Sequence, residues 1–406
     1  MVCRTSMDGG AAEYPLQRVE LDHTILNWVV VCDRTGLPLG RPVLTVAIDA
    51  HSGYIVGFYI SFYGPGVTSV TGVLKNSFLP KDDLVRGFDL KNPWLSHGLA
   101  DEWVLDNGME FHSKIFKAIC WELKIDMTYC RVRTPWLKPH VERFFADLNW
   151  LTLARGRVDK VVANVVRMDP YKDACITFSD LVRGLTQFIV DVHPFQINER
   201  KIARPFDLFM EGMERCPPAN FPVDPEKLRL ISGMSKELTI DQGGTNLVGL
   251  PYGSAELKPL RDRYGKSFKT ECRWDPDDMS KLFVRDPDEP TVWLESPCRW
   301  TSYASGLSWN QHRLIRSFNR KALKAKDAEE YLLQARMRLH EMWLDVTRPK
   351  RRKESLMAGR SAGQTSARVF AGQPVQGPPA TASRIVVAED ASEMHLVPEL
   401  EAFDME

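Results

Sequence analysis

Between residues 18 and 62 the chain alternates apolar runs with short polar breaks. Runs at 18–26, 43–49 and 54–62 are rich in β-branched and aromatic residues, and GLPLG and DAHSG separate them, which predicts three strands joined by tight turns. Residues 67–79 carry apolar positions at helical spacing and stop at Pro80, as a helix should. A loop rich in Asp, Lys, Pro and Gly follows to about Gly98. The pattern resumes with a strand at 102–105, a helix at 113–123, a strand at 126–130 and a helix opening near Pro139. Three strands followed by alternating helix and strand predict an α/β core over 16–195: a mixed five-stranded sheet with helices on both faces.

Beyond 150 the pattern turns helical but interrupted, with 179–192 its firmest element, and CPPANFPVDP ends a helical linker over 196–234. Short strands at 238–241, 246–250, 269–274, 281–285 and 292–295 predict a small β-barrel over 235–300. A helical stretch follows with Leu332, Ala335, Leu339 and Met342 on one stripe. Together with RPKRRK it holds 13 basic and 5 acidic residues between 308 and 353, so 301–350 reads as a basic helical segment suited to DNA. Residues 354–383 are rich in Gly, Pro, Ser and Ala and predict a flexible tether within a disordered tail, 351–406; residues 1–15 are expected to be flexible too. The last 23 residues set seven acids against Arg384 and add Ile385, Val386, Leu396, Val397, Leu400 and Phe403. That mixture suits a segment that folds on a partner.

The whole chain has 406 residues, 44% apolar and 26% charged, so it can bury a sizeable core. Its 53 basic and 53 acidic residues cancel, which excludes a histone-like polycation; DNA would have to be held by local patches. No apolar run approaches a membrane span, and MVCRTSMDGG lacks the apolar stretch of a signal peptide. Eight cysteines occur without a C-x-x-C pair, so neither a zinc site nor a disulfide framework is legible, and a reducing cytoplasm is expected.

Three carboxylates stand where burial needs a reason. Asp22 interrupts the strand VELDHTIL. Asp106 ends the strand EWVLD before the Asn107-Gly108 turn, which would lift its carboxylate to the edge of the sheet. Glu142 lies in the first turns of KPHVERFFADLNW, beside a stripe of Val141, Phe144, Phe145 and Leu148. The 35 residues between Asp106 and Glu142 allow one helix, one strand and a turn, enough to bring the chain back beside the strand end it left. Such a cluster suits a hard cation such as Mg²⁺ or Mn²⁺. Two ions roughly 3.5–4 Å apart can activate the attacking oxygen and stabilise the leaving one in an in-line displacement at phosphorus.

The segments VELDHT, LTVAIDAHSGYIVGFYISF, VLDNGMEFHS and RTPWLKPHVERFF resemble the integrase core of D,D(35)E DNA transposases, in the TnsB/TniA branch of the phage Mu transposase family. CRWDPDDMSKLFVRDP and WLESPC resemble the β-barrel that follows that core, and YASGLSWNQHRLIR the start of the helical segment after it. The resemblance covers about residues 15–350. It implies an RNase H-like fold, with Asp22, Asp106 and Glu142 as catalytic metal ligands. It also implies Mg²⁺-dependent cleavage at transposon ends, joining of the freed 3′-hydroxyls to target DNA, a homo-oligomer on DNA near the bacterial nucleoid, and a AAA+ ATPase engaged by the C-terminal end. Members of that branch carry helix-turn-helix domains before the core, and this chain opens about 20 residues before Asp22. Three readings of that start are open, a fragment, a misplaced start or end recognition lying elsewhere, and with them an alternative: a truncated, non-autonomous regulatory or scaffold protein that assembles with full-length transposase or an ATPase.

Other polar residues divide between contact and architecture. Lys138, His140 and Arg143, with Arg131 and Arg133 upstream, form a basic fringe suited to DNA phosphates. Trp136 could stack on a base or anchor its loop. His23 and His112 flank the acidic motifs and suit hydrogen-bonding support. Asp49 and the group Asp275, Asp277 and Asp278 read as turn formers.

Overall fold

The computed structural model describes residues 12–108, 111–130, 138–150, 169–197, 202–219, 230–318 and 352–372, with a few shorter stretches between them. Strand β1 (Arg18–Ile25) pairs antiparallel with β2 (Val43–Asp49), which pairs antiparallel with β3 (Ile55–Ser61). On its other side β1 runs parallel to β4 (Glu102–Leu105), and β4 parallel to β5 (Asp126–Tyr129). The order is therefore β3-β2-β1-β4-β5, with the two-residue strand Cys3–Arg4 beside β5. An antiparallel meander feeding two parallel strands through helices is the mixed sheet that the pattern predicted, and its strand order is that of the RNase H-like fold the resemblance implied. It sets the carboxyl ends of β4 and β5 side by side with the middle of β1.

Helix α1 (Val67–Phe78) crosses β3 so closely that a Cβ at Gly72 would stand 2.3 Å from the Tyr59 ring. It ends where expected, because Leu79 precedes a proline and is driven into extended backbone. The loop to Gly98 is more tightly held than its polar composition suggests. Lys81 is buried, and its Nζ donates to the carbonyls of Ser77, Leu79 and Ser96 while facing the Trp94 ring. Helices α2 (Lys114–Glu122), α3 (Pro139–Trp150), α4 (Phe178–Gln187) and α5 (Pro205–Arg215) complete this unit.

The second unit has a core of its own, including Tyr252, Trp274, Leu282 and Tyr303. Strands β6 (Met234–Ile240), β9 (Phe268–Asp275), β10 (Asp278–Arg285) and β11 (Trp293–Pro297) form an antiparallel sheet in the order β11-β10-β9-β6. The strand expected at 246–250 is instead a hairpin of β7 (Thr245–Leu247) and β8 (Leu250–Tyr252). Val248 and Gly249 take positive φ, +53° and +89°, and Asn246 Oδ1 accepts the Gly249 N–H, so the chain reverses at that point. Among the described residues the hairpin joins both ends of this ladder: Asp241 after β6 bridges Gly244 before β7, and Tyr252 of β8 bridges Cys298 after β11, with Gly253 N donating to Pro297 O and Arg299 N to Pro251 O, as in the small barrel expected. The hairpin and α6 (Lys258–Tyr264), which adds Leu260, pack on the same core. The expected β9–β10 turn is present, and it docks on the first unit through Lys75 to Asp275 (2.6 Å) and Tyr59 to Asp277 (3.0 Å).

Downstream, α7 (Trp309–Phe318) is helical as expected and Leu332 and Ala335 enter the second core, while Leu339 and Met342 lie outside the described residues. The tether expected from 354 is corrected in part. Residues 352–372 form α8 (Arg352–Ala362) and α9 (Ser366–Phe370), which pack on the first unit. Gly359 lies so close to Leu39 O and the Phe62 ring that a Cβ there would meet both at 2.7 Å. Ser366 accepts the Ile60 N–H at the edge of β3, and Phe370 packs on Phe58. Small residues read as flexible are what permits this approach. Residues 373–406 lie outside the described part.

Candidate active site

Alternation along β1 places Glu20 and Asp22 on one face, opposite the face that carries Val19 and Leu21 into the main core. In the parallel pairing with β4, Glu20 is opposite Val104, so the register carried two residues further sets Asp22 level with Asp106. Asp106 opens the turn after β4. Its Oδ1 accepts the Gly108 N–H at 2.8 Å, and Asn107 Nδ2 donates to Cys130 O at 2.8 Å. The turn is thus fastened to the end of β5.

Two contacts fasten the start of α3 to β1. The Glu20 carboxylate, 2% exposed, accepts the N–H groups of His140 at 3.0 Å and Val141 at 3.1 Å. A helix start leaves such donors without an intrahelical partner, so Glu20 acts as a cap supplied by a distant strand. Lys138, directly before the helix and 6% exposed, places Nζ 2.7 Å from Asp22 Oδ2. Glu142 is exposed, and its N–H reaches Lys138 O. It therefore stands at the first turn of a helix tied to both acidic positions of β1. Burial pushes the Glu20 carboxyl up to about 7, against the pull of the two helix N–H groups and of Arg18 and Lys138. Burial likewise raises the Cys130 thiol, which also senses Lys138, Arg18, Glu20 and Asp106.

The basic fringe divides. Lys138 is buried against Asp22 and not on a solvated face, because a carboxylate at that depth is costly without a cation beside it. His140 is half-buried with its N–H on Glu20, and Arg143 is exposed beside Glu142. Arg131, Arg133 and Trp136 lie outside the described residues. His23 hydrogen-bonds Thr45 Oγ1 through Nδ1 at 2.7 Å and stacks on Phe111. His112 stacks on Tyr129 and reaches Asn107 Oδ1. Both are walls of the site. Asp49 is wholly buried and accepts from Leu16 N and from the N–H and hydroxyl of Ser52, as a turn former does. Sequence reasoning passed over Glu20. The signal was available: in VELDHT, Glu20 and Asp22 alternate with Val19 and Leu21, and an acid at either position of a doubly covered strand needs a partner.

The donor set suits a hard divalent cation in its chemistry, three carboxylates without sulfur or imidazole. Among the described residues no group of three or more His, Cys, Asp or Glu is gathered to hold an ion as it stands. Asp22 is held by the Lys138 ammonium, and Glu142 is exposed.

Residues 20–155 match the family model described as the TnsB C-terminal domain, a span that holds Asp22, Asp106 and Glu142. The chain resembles transposases. It is 24% identical over 306 residues to the transposase for transposon Tn552 of Staphylococcus aureus, covering 75% of this chain and 58% of that protein. It is 26% identical over 264 residues to the transposon Tn7 transposition protein TnsB of Escherichia coli, covering 60% of this chain and 37% of that protein. The chain therefore spans between about a third and three fifths of the length of these relatives. The catalytic core domain of BIV integrase is 15% identical, covering 49% of this chain and 97% of that one, with a TM-score of 0.27. A superposition that loose carries no weight; the strand order carries the fold.

Proposed function

We propose that the chain is the catalytic core of a DNA transposase that cleaves DNA to free 3′ ends and joins them to target DNA, dependent on Mg²⁺ or Mn²⁺. The observation that carries this reading is the parallel register of β1 and β4, which brings Asp22 beside the strand end where Asp106 opens its turn, with the Glu142 helix fastened to β1 by Glu20 and Lys138. The names of the two relatives support it. Asp22, Asp106 and Glu142 would hold the two ions. Bound there, the ions would supply Lewis-acid chemistry to the attacking and leaving oxygens of an in-line displacement at phosphorus. The chain's own residues do the positioning. Glu20 fixes the start of α3, Lys138 neutralises Asp22, and the exposed Arg143 would meet a phosphate. The partners that suit this reading are transposon ends, target DNA, further copies of this chain on DNA, and a AAA+ ATPase reached by residues 384–406, which lie outside the described part.

The test is joining of pre-cleaved ends with Mg²⁺ or Mn²⁺, with an end-binding domain fused if needed. Asp22→Asn, Asp106→Asn and Glu142→Gln should each reduce joining to background, because the amide keeps the size and loses the charge. Asp49→Asn should lower thermal stability, since it strands buried donors worth roughly 1–3 kcal/mol each, yet keep joining per folded molecule. Joining at the parental level by any of the three site variants would remove that residue from the site.

A further inference from the structure

The outward face of α2 takes no part in the architecture described above. The helix buries Phe116, Ile119 and Cys120 and turns Lys114, Lys117 and Trp121 to solvent, with Lys124 exposed just past its end. Positions 114, 117 and 121 fall on one stripe at helical spacing. Trp121 is 69% exposed, whereas Trp28, Trp94 and Trp103 of the same unit are buried. Among the described residues none of these three lysines has a carboxylate partner, while Lys75, Lys138 and Lys281 are each ion-paired. The acid next to Trp121, Glu122, is drawn aside to Arg273 at 2.7 Å. The result is a basic stripe around an unpartnered indole.

The stripe begins at the candidate site. Ser113 caps α2 by accepting the Phe116 N–H, and His112 before it reaches Asn107 in the Asp106 turn. From Lys114 to Lys124 the stripe runs about 15 Å, a length of roughly four phosphates along one DNA strand.

We propose that this face is a DNA track leading away from Asp106: Lys114, Lys117 and Lys124 meet phosphates, and Trp121 packs on the face of a base or sugar of the same strand. It rests on the DNA-joining reading above and names the surface that would hold the substrate. A second copy of the chain is the rival occupant. Lysine argues against it, because lysines are depleted from protein–protein interfaces, whereas a basic groove with an aromatic platform is how single strands are held.

The test is fluorescence anisotropy of the full chain with a labelled duplex carrying a single-stranded overhang, over a salt series. The double variant Lys114→Ala, Lys117→Ala should lower the log–log salt slope by about 1.4–1.8. Trp121→Ala should weaken binding by about fivefold or more with the slope unchanged, and Trp121→Phe should recover most of the loss. All these side chains are exposed, so melting temperatures should stay at the parental value, which separates lost contact from lost fold. Parental affinity and slope in the lysine and alanine variants would overturn the proposal. So would parental DNA binding combined with a loss of self-association by light scattering in Trp121→Ala, which would give the face to a second copy. Joining assays keep the two readings apart. If the Asp22, Asp106 and Glu142 variants still join while the α2 variants lose DNA, the catalytic reading fails and the track stands. If the α2 variants bind normally while the triad is required, the track alone fails.

Discussion

β2 and β3 are buried at every position, whereas β6 is buried only at its two ends and β9 alternates buried residues with half-buried or exposed ones over most of its length. The first sheet is covered on both faces, and each acid on β1 and β2 has a dedicated partner. Glu20 caps α3, Asp22 is held by Lys138, and Asp49 closes its turn. The second sheet leaves one face to solvent and spreads charge across it. There Glu271 pairs with Arg273 at 3.0 Å and Arg285 at 2.8 Å, and Lys281 with Glu295 at 3.2 Å. A carboxylate taken into a doubly covered sheet costs several kcal/mol unless it is paired, while one on an open face costs little. An acid buried in the first sheet therefore needs a named partner, whereas one on the charged face of the second sheet does not.

The contrast breaks most visibly at Glu20. Glu20→Ala would strand two buried helix N–H groups, a loss of roughly 1–3 kcal/mol for each. It should also loosen α3 and lower joining activity more than its stability loss explains. Glu20→Gln keeps an acceptor oxygen and should recover part of both. Chemical denaturation and amide exchange at His140 and Val141 read the first effect, and joining rates at saturating metal the second. If Glu20→Ala unfolds at the parental denaturant concentration, the cap does not hold the helix.

A second prediction concerns the other core. His312 is buried between Tyr303 and the Val248 carbonyl, its Nδ1 2.9 Å from the hydroxyl and its Nε2 2.9 Å from the carbonyl oxygen. Burial lowers its pKa from the usual 6.5 of an imidazole to about 4. The folded state resists protonation and the unfolded state does not. Stability from this group is therefore complete above pH 6.5 and is lost as pH falls toward 4, amounting to about 2 kcal/mol by pH 5. A His312→Asn variant should be less stable at pH 7 but show a flatter dependence between pH 7 and 5. Parallel pH profiles for the two proteins would contradict the assignment. The smallest effect belongs to the open sheet face, where Lys281→Ala should cost less than about 1 kcal/mol, measured by thermal denaturation. A loss several times larger would erase the distinction between the two sheets.

Much of the first sheet was legible because its signals are local. Apolar runs, the DAHSG turn and Pro80 mark β2, β3 and the end of α1 to within a residue or two. Asp49 was legible as a turn former for the same reason. What escaped depends on partners far along the chain. The burial of Lys138 follows from Asp22, 116 residues away, and the role of Glu20 from helix donors 120 and 121 residues on. Helices α8 and α9 were obscured by their small residues, which look like a tether until the Phe62 ring and Leu39 carbonyl they pack on are known. The 246–250 run was misread because its reversal depends on Val248 taking a positive φ, which a β-branched residue rarely signals.

The central claim is that Asp22 and Asp106 take a metal in place of the Lys138 ammonium. Crystals of the chain soaked in Mn²⁺ and measured at the manganese absorption edge test this directly. The account predicts anomalous density against the carboxylates of Asp22 and Asp106, with Lys138 Nζ moved away from its 2.7 Å contact with Asp22 Oδ2. An undisturbed Lys138–Asp22 pair with no manganese at either carboxylate, under conditions where Mn²⁺ supports joining in solution, would contradict it.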